Sequence, residues 1–341
     1  MENLFEKIVI IGCGIIGSSL ALVIKDKKIA GHIVAIDKYQ ENTEFLIENG
    51  IIDSIASLED DFSKVDLVII ASKLSDYKDI LVKIGDKLPL NCLISDIGST
   101  KSFIERDILP ILPEKLAMNF IGCHPIAGSD KIGAKNLIKD LFLGKKLIIT
   151  PYLVSSDKAV EKITEMWQKI GAKIDKMSPI HHDQIFALTS HLIQLIAFKL
   201  DFYQGDENVA RHLRLKNSQM KMWNEIFAFN ADNINNYKRQ FLQKIDWFIE
   251  KLKSNQFDEV FCLNKQDVQG DFDYLNILTS IIIVKSLNKI DDMVKFSNFF
   301  GSGIKDFMAI LNLEPILTEK IVSDNCDDLI KKLKELSGKI V

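Results

Sequence analysis

The chain has 341 residues, of which 47% are hydrophobic and 26% charged, and its formal net charge is −4. This is the composition of a globular protein long enough for two domains, and the interspersed signs leave no basic stripe for nucleic acid or an anionic membrane surface. The five cysteines, Cys13, Cys92, Cys123, Cys262 and Cys326, are scattered without CxxC spacing, which points to a reducing compartment and excludes structural zinc.

The first half alternates strand and helix signals. Apolar, β-branched runs at 7–11, 32–36, 67–71, 92–96, 119–122 and 146–150 are separated mostly by amphipathic stretches. Short continuous apolar strands of this kind predict a parallel sheet covered on both faces, a doubly wound α/β domain. Cys13, Cys92 and Cys123 lie in or beside these segments and read as small buried hydrophobes. The N-terminal text MENLFEKIVIIG enters a strand without a basic region and cleavage site, and runs such as 8–11 and 281–284 are too short to span a bilayer. The expectation is a cytoplasmic protein.

After Pro179 the β signal fades, and helical periodicity dominates 181–199, 219–253, 274–286 and 327–336. Ser178-Pro179 marks a helix start. We therefore expect a Rossmann-like domain over 1–178 and an all-α domain over 179–341. Asn217-x12-Asn230 and Asn312-x12-Asn325 share a spacing, which suggests a degenerate duplication of about 187–253 and 274–340; two unrelated amphipathic helices are the competing reading.

The cofactor signal is Gly12-Cys13-Gly14-Ile15-Ile16-Gly17, directly after a strand and opening a helix. Gly12 permits the tight turn, Gly14 lets the backbone approach a pyrophosphate, and Gly17 lets helix and strand pack closely. Ile15 and Ile16 sit where the helix N-terminus offers unpaired N–H groups to phosphate. Asp37 ends the second strand 20 residues after Gly17, placed for the adenosine ribose hydroxyls and against a 2′-phosphate, which favours NAD over NADP. Lys38 would soften that preference. Ser72, just past the strand 67–71, is the remaining cofactor candidate.

Three further segments carry dense polar text: Ser95-Asp96-Ile97-Gly98-Ser99-Thr100-Lys101, then 122–130, which contains His124, Ser129 and Asp130, then 181–191, which contains His182, Asp183 and His191. The first two follow strands, and in open α/β sheets the ligand crevice lies at the carboxyl ends of strands. Together the segments resemble the prephenate/arogenate dehydrogenase family. Its patterns are close to D-x-G-S-x-K, H-P-x-A-G-[ST]-[ED]-x-x-G, L-F…TP and H-D-x-x-x-A-x-x-S-H-L-P. The matching residues are Asp96, Gly98, Ser99 and Lys101; His124, Pro125, Ala127, Gly128 and Gly133; Leu141-Phe142 and Thr150-Pro151; and His182, Asp183, Ala187, Ser190, His191 and Leu192. The resemblance spans about residues 5–200.

The resemblance implies an NAD-dependent oxidative decarboxylation of prephenate to 4-hydroxyphenylpyruvate, or of arogenate to tyrosine. It implies His124 as acid–base partner of the substrate hydroxyl, Ser99 as its hydrogen-bond partner, and His191 in substrate binding. Competing readings stand beside it. His124 would otherwise be a structural histidine before a proline turn, and His191 a helix-surface one. Lys101 and Asp96 are either site residues or helix-start and loop chemistry, and a cation on a first helical turn is misplaced unless it has a role. Ser129 and Asp130 match a substrate-covering loop or make a polar turn. His181 and His182 read as a polar helix start. No metal site is expected, because no cysteine or second spaced pair completes four ligands.

The pattern breaks in the helical half. The family's second signature, close to G-[FG]-[RK]-D-x-T-R-I-A-x-x-x-P-x-x-W, is split. Its second half matches Arg214-Leu215 through Met222-Trp223, which makes Arg214 the candidate carboxylate anchor, against a solvated arginine beside Arg211 and Lys216. Its first half appears about 95 residues later, at Gly301-Ser302-Gly303-Ile304-Lys305-Asp306-Phe307, where Ala309 and Thr318 replace the arginine and tryptophan. Ile193 replaces the proline after S-H-L, leaving that helix unkinked, and Lys73 replaces a usual proline after Ala71. The expected assembly is a homodimer through the helical domain, with an intrachain imitation of that dimer as the alternative if the domain is duplicated. Two other functions compete: an NAD-binding family member without turnover, acting as a regulatory partner, and a dehydrogenase of another small hydroxy or imino acid.

Overall fold

The computed structural model describes residues 3–129, 131–192, 194–195, 220–254 and 326–340. By their contacts, residues group into two units: Met1–Ile185 with Asn217–Asn230, and Phe186–Lys216 with Ala231–Val341.

In the first unit the chain runs β1 (Phe5–Ile11), α1 (Ile15–Asp26), β2 (Ala30–Ile36), α2 (Gln40–Glu48), β3 (Ser54–Ile55), β4 (Leu67–Ile70), α3 (Tyr77–Ile84) and β5 (Leu93–Asp96). It continues α4 (Glu114–Met118), β6 (Phe120–Pro125), β7 (Lys146–Thr150), α5 (Asp157–Ile170), β8 (Lys173–Lys176) and α6 (Pro179–Phe186), whose last residue begins the second unit. The eight strands form one sheet in the order β3-β2-β1-β4-β5-β6-β7-β8. Every neighbouring pair is parallel except β6 and β7. This is the doubly wound sheet the apolar runs predict, with one reversal.

The runs are apolar throughout because both faces are covered. In β1, Ile8 and Ile10 enter one core layer and Val9 and Ile11 the other. The same alternation holds in β4, with Leu67 and Ile69 on one side and Val68 and Ile70 on the other. Cys13, Cys92 and Cys123 are fully buried, as small hydrophobes should be. Helix α5 shows how local chemistry fixes an element: Ser156 Oγ accepts the Ala159 N–H at its start, Gly171 adopts φ 97° at its end, and Trp167 is buried on its inner face.

Pro179 opens α6, and Ser178 Oγ accepts the His181 N–H at 3.3 Å, so the expected helix start is formed. The helix Met220–Phe229 also groups with the sheet. Ile226 is buried in the layer that holds Phe103, and the Phe229 ring lies 4.6 Å from that of Phe103. Glu225 accepts the Ser75 hydroxyl at 3.1 Å and lies 3.8 Å from Lys73 Nζ. Lys73 thus has its counter-ion on this helix.

In the second unit, the helix Ala231–Lys253 buries Ile234, Phe241, Ile245, Phe248, Ile249 and Leu252, one stripe at helical spacing. The helix Cys326–Ile340 buries Leu333 and Ile340, and Cys326 Sγ donates to the Leu252 carbonyl. Most of the proposed second repeat, including 274–286 and 301–318, and both Asn312 and Asn325 lie outside the described residues. Among those described, no helix is long and apolar enough to cross a membrane.

Candidate active site

Gly12, Ser72, Ser99 and His124 all lie at or just beyond the carboxyl ends of parallel strands, β1, β4, β5 and β6 in that spatial order, and so face one edge of the sheet. At the β1 end, Gly12 has φ 99°, and a Cβ there would lie 2.6 Å from the Ser72 nitrogen. A Cβ on Gly17 would lie 2.0 Å from the Gly12 carbonyl oxygen. Both positions therefore require glycine to bring turn, helix and β4 together. At Gly14 the same construction meets nothing within 4 Å, so its Cα faces open space, as a site for pyrophosphate needs. Helix α1 starts at Ile15 with no side-chain cap and no acidic residue in its first turn. Its first N–H groups and partial positive charge are left for an anion.

Asp37 closes this end. It is half-buried; Oδ2 accepts the Cys13 N–H at 2.5 Å and Oδ1 the Tyr39 N–H at 2.7 Å. The carboxylate is thereby held beside the glycine turn. Lys38 is exposed and its Nζ lies 5.2 Å from the Tyr39 ring centre. This turn, open cradle and oriented acid fit a dinucleotide.

The β5 end is built from the inside. Asp96 is fully buried: Oδ2 accepts from Lys101 Nζ at 2.5 Å, the Gly98 N–H at 2.8 Å and the Tyr77 hydroxyl at 3.0 Å, while Oδ1 accepts the Cys123 N–H at 3.2 Å. Lys101 is itself fully buried. Of the two readings of Asp96 and Lys101, the structure displays loop chemistry: the lysine ammonium is engaged by the carboxylate inside the fold, and the pair ties β5 to β6 beneath the site. Ser99, by contrast, is half-buried on the turn.

His124 is half-buried near the end of β6, and its partners revise the expectation from sequence. Its Nδ1 lies 2.8 Å from Nε2 of His182. His182 Nδ1 lies 2.8 Å from Asp183 Oδ1. Asp183 also accepts the Lys101 N–H on Oδ1 and the Ser102 N–H on Oδ2, both at 2.8 Å. Among the described residues Ser99, expected as the hydrogen-bond partner of His124, makes no hydrogen bond to it, and the group at its Nδ1 is His182. His182 and Asp183 are buried, so His182 is no polar helix start. The sequence placed His182 and Asp183 in a matching H-D pattern but gave them no role beside His124, because the contact spans 58 residues.

Burial also holds His182 neutral, pushing its protonation below the ordinary histidine value against the pull of Asp183. Burial alone would raise Asp183, but the donors from His182 and Ser102 outweigh it and hold the carboxyl below its ordinary value.

The loop after β6 is tied at its far end: Ala134 N–H donates to Asn42 Oδ1 on α2 and Ile138 N–H to Ser19 Oγ on α1. Ser129 is half-buried in this loop, and its hydroxyl accepts the Lys131 N–H at 3.3 Å, a turn interaction. Leu141 and Phe142 are core residues and Thr150 ends β7, so those matches to the family are structural. His191 belongs to the second unit; it closes a π-helical turn, Ala187–His191, is buried, and its ring lies 6.5 Å from that of Phe186. Asp130, Ile193 and Arg214 lie outside the described residues. Among those described, no cluster could hold a metal ion.

A family model described as the prephenate dehydrogenase nucleotide-binding domain matches residues 20–176. A prephenate dehydrogenase of Bacillus subtilis is 28% identical over 261 residues, covering 72% of this chain and 70% of that protein. Over its nucleotide-binding half the chain is similar to the prephenate dehydrogenase family. A cyclohexadienyl dehydrogenase of Zymomonas mobilis, 27% identical over 270 residues, covers 74% of this chain and 87% of its own. Among solved structures, the prephenate dehydrogenase from A. aeolicus in complex with hydroxyphenyl propionate and NAD+ superposes with a TM-score of 0.67 at 27% identity, over 74% of this chain and 93% of that one.

Proposed function

We propose that this chain catalyses the NAD-dependent oxidative decarboxylation of prephenate or arogenate. The observation that carries the reading is His124, half-exposed at the carboxyl end of β6 with its Nδ1 side bonded into the fold. The glycine turn and Asp37 would hold NAD, which when bound supplies the hydride acceptor. Gly14, Ile15 and Ile16 would face its pyrophosphate and Asp37 its ribose, with Ser72 beside the turn. The hydroxyl proton of the substrate passes to Nε2 of His124 as that carbon loses hydride and becomes a carbonyl carbon. Carbon dioxide leaves, its bonding electron pair moves through the ring to the carbonyl oxygen, and that oxygen takes the proton back from Nε2, so that the ring becomes a phenol and His124 is neutral again.

Ser99, half-exposed on the β5 turn, faces the same edge and would contact substrate directly. Ser129 and Asp130 would cover it, and His191 and Arg214 would bind it, Arg214 through a carboxylate. The buried Lys101 supports the site through Asp96. The same reading makes the chain a cytoplasmic enzyme, homodimeric through its helical half; light scattering tests the assembly. The test of function is direct. Purified protein with NAD and either prephenate or arogenate should produce NADH absorbance, and His124→Asn should abolish it while NAD affinity stays unchanged. NAD binding without NADH from either substrate would overturn the assignment.

A further inference from the structure

The bonds behind His124 form a chain whose protons have one arrangement. Asp183 is held ionised by the His182 and backbone donors at its two oxygens, and an ionised carboxylate only accepts. The hydrogen between Asp183 and His182 therefore sits on His182 Nδ1. A neutral imidazole with Nδ1–H has its lone pair on Nε2. The 2.8 Å contact from His182 Nε2 to His124 Nδ1 then needs its hydrogen on His124. Neutral His124 with Nδ1–H carries its lone pair on Nε2, the atom required to accept the substrate hydroxyl proton. We propose that His182 and Asp183 are positioning residues that fix the tautomer and orientation of His124 so that Nε2 is the base. This rests on the function proposed above.

The groups packed around His182 agree with that role. They are Asp183 on its own helix, His124 from β6, and Asp96 with Lys101 from the end of β5. The Asp96 and Lys101 charges are paired with each other, so Asp183 supplies the unbalanced negative charge at this corner. When His124 takes the hydroxyl proton, its Nδ1–H bond to His182 becomes charge-assisted and strengthens. Support therefore grows as the proton moves, which is the interaction that raises kcat and leaves KM nearly unchanged. A fixed corner is provided by the rest of the fold: the Asp183 carbonyl accepts from Asn230 Nδ2 at 2.8 Å, and its carboxylate takes the two N–H groups that lead into the helical turn Ile104–Ile108.

The test compares His182→Gln with His182→Leu. Glutamine Oε1 can reach the place of Nε2 and accept from His124; leucine cannot. His182→Leu should lose about 100-fold in kcat, with KM and NAD affinity within about threefold of the parent. The acid limb of its kcat profile should move to lower pH, because protonated His124 has lost an acceptor. His182→Gln should recover at least about a tenth of the parent kcat. Equal losses in the two variants, a leucine variant with near-parental kcat, or an unmoved acid limb would overturn the proposal. Nitrogen-15 NMR of the unsubstituted protein gives an outcome independent of turnover: His124 should be the Nδ1–H tautomer, and the Nε2–H tautomer would refute the positioning role. If neither substrate is turned over, the functional assignment fails while this tautomer measurement still decides the proposal.

Discussion

Replacing Lys101 with methionine would leave Asp96 as an unpaired charge in a fully buried place. Asp96 keeps three donors, the Tyr77 hydroxyl and the Gly98 and Cys123 N–H groups, and loses the ammonium. Breaking a buried ion pair from one side costs about 3–5 kcal/mol, and the surviving donors place this case near the lower end, about 3 kcal/mol. Urea unfolding followed by tryptophan fluorescence, with Trp167 buried in the same unit, would compare the parent and the variant at neutral pH. A loss under about 1 kcal/mol would refute the pairing argument. If instead KM rises and stability holds, the ammonium reaches the substrate.

Gly14→Ala should leave unfolding unchanged and weaken NAD binding by about tenfold or more, because its Cβ enters open space where the pyrophosphate would approach; calorimetry of NAD binding checks this. Gly17→Ala should instead lower the thermal midpoint, since its Cβ meets the Gly12 carbonyl. His182 resists protonation in the fold relative to the ordinary value of about 6.5, so its contribution to stability is complete above that pH and declines as pH falls below it. His182→Gln should remove that part of the slope in urea midpoints measured against pH, whereas the Asp183 contribution, complete above about 3.9, is lost only at still lower pH. Burial pushes the thiols of Cys13, Cys92 and Cys123 up to about 12, so peptide mapping after native alkylation should find all three unlabelled, and labelled after unfolding.

The strands that bury both faces were legible because each reads as an unbroken apolar run. The two edge strands were not. Ser54–Ile55 is two residues long, and Lys173–Lys176 is the polar text KIDK, half exposed, so neither carries an apolar signal. The reversal at β7 has a physical cause that the expectation of a parallel sheet passed over. A parallel return needs a crossover, and the segment between β6 and β7 contains only the short helical turn Ala134–Asn136 among its described residues. The glycine turn and Asp37 were legible because the chemistry is local and fixed in spacing. His124 was legible through its strand end. His182 stood in the matched H-D pattern, but its partnership with His124 was not legible, because a histidine three residues after Pro179 resembles ordinary helix-start text until the fold brings it beside β6. Asp96 and Lys101 were read as a motif, but only their burial shows that they bond to each other.

The helix Met220–Phe229 also constrains the order in which the molecule can be completed. During synthesis the eight strands emerge before residue 180, and the sheet can assemble from them. The Asn230 bond to the Asp183 carbonyl closes 47 residues later in sequence, and the Glu225 bond to Ser75 spans 150. The corner that holds His182 is therefore tied down only after the ribosome has passed residue 230. A nascent chain stopped at 185 would carry the sheet, the glycine turn and His124, but would expose Phe103 where Phe229 belongs. Cofactor affinity should appear along the growing chain earlier than a fixed His124 does, so the two halves of the chemistry mature at different moments.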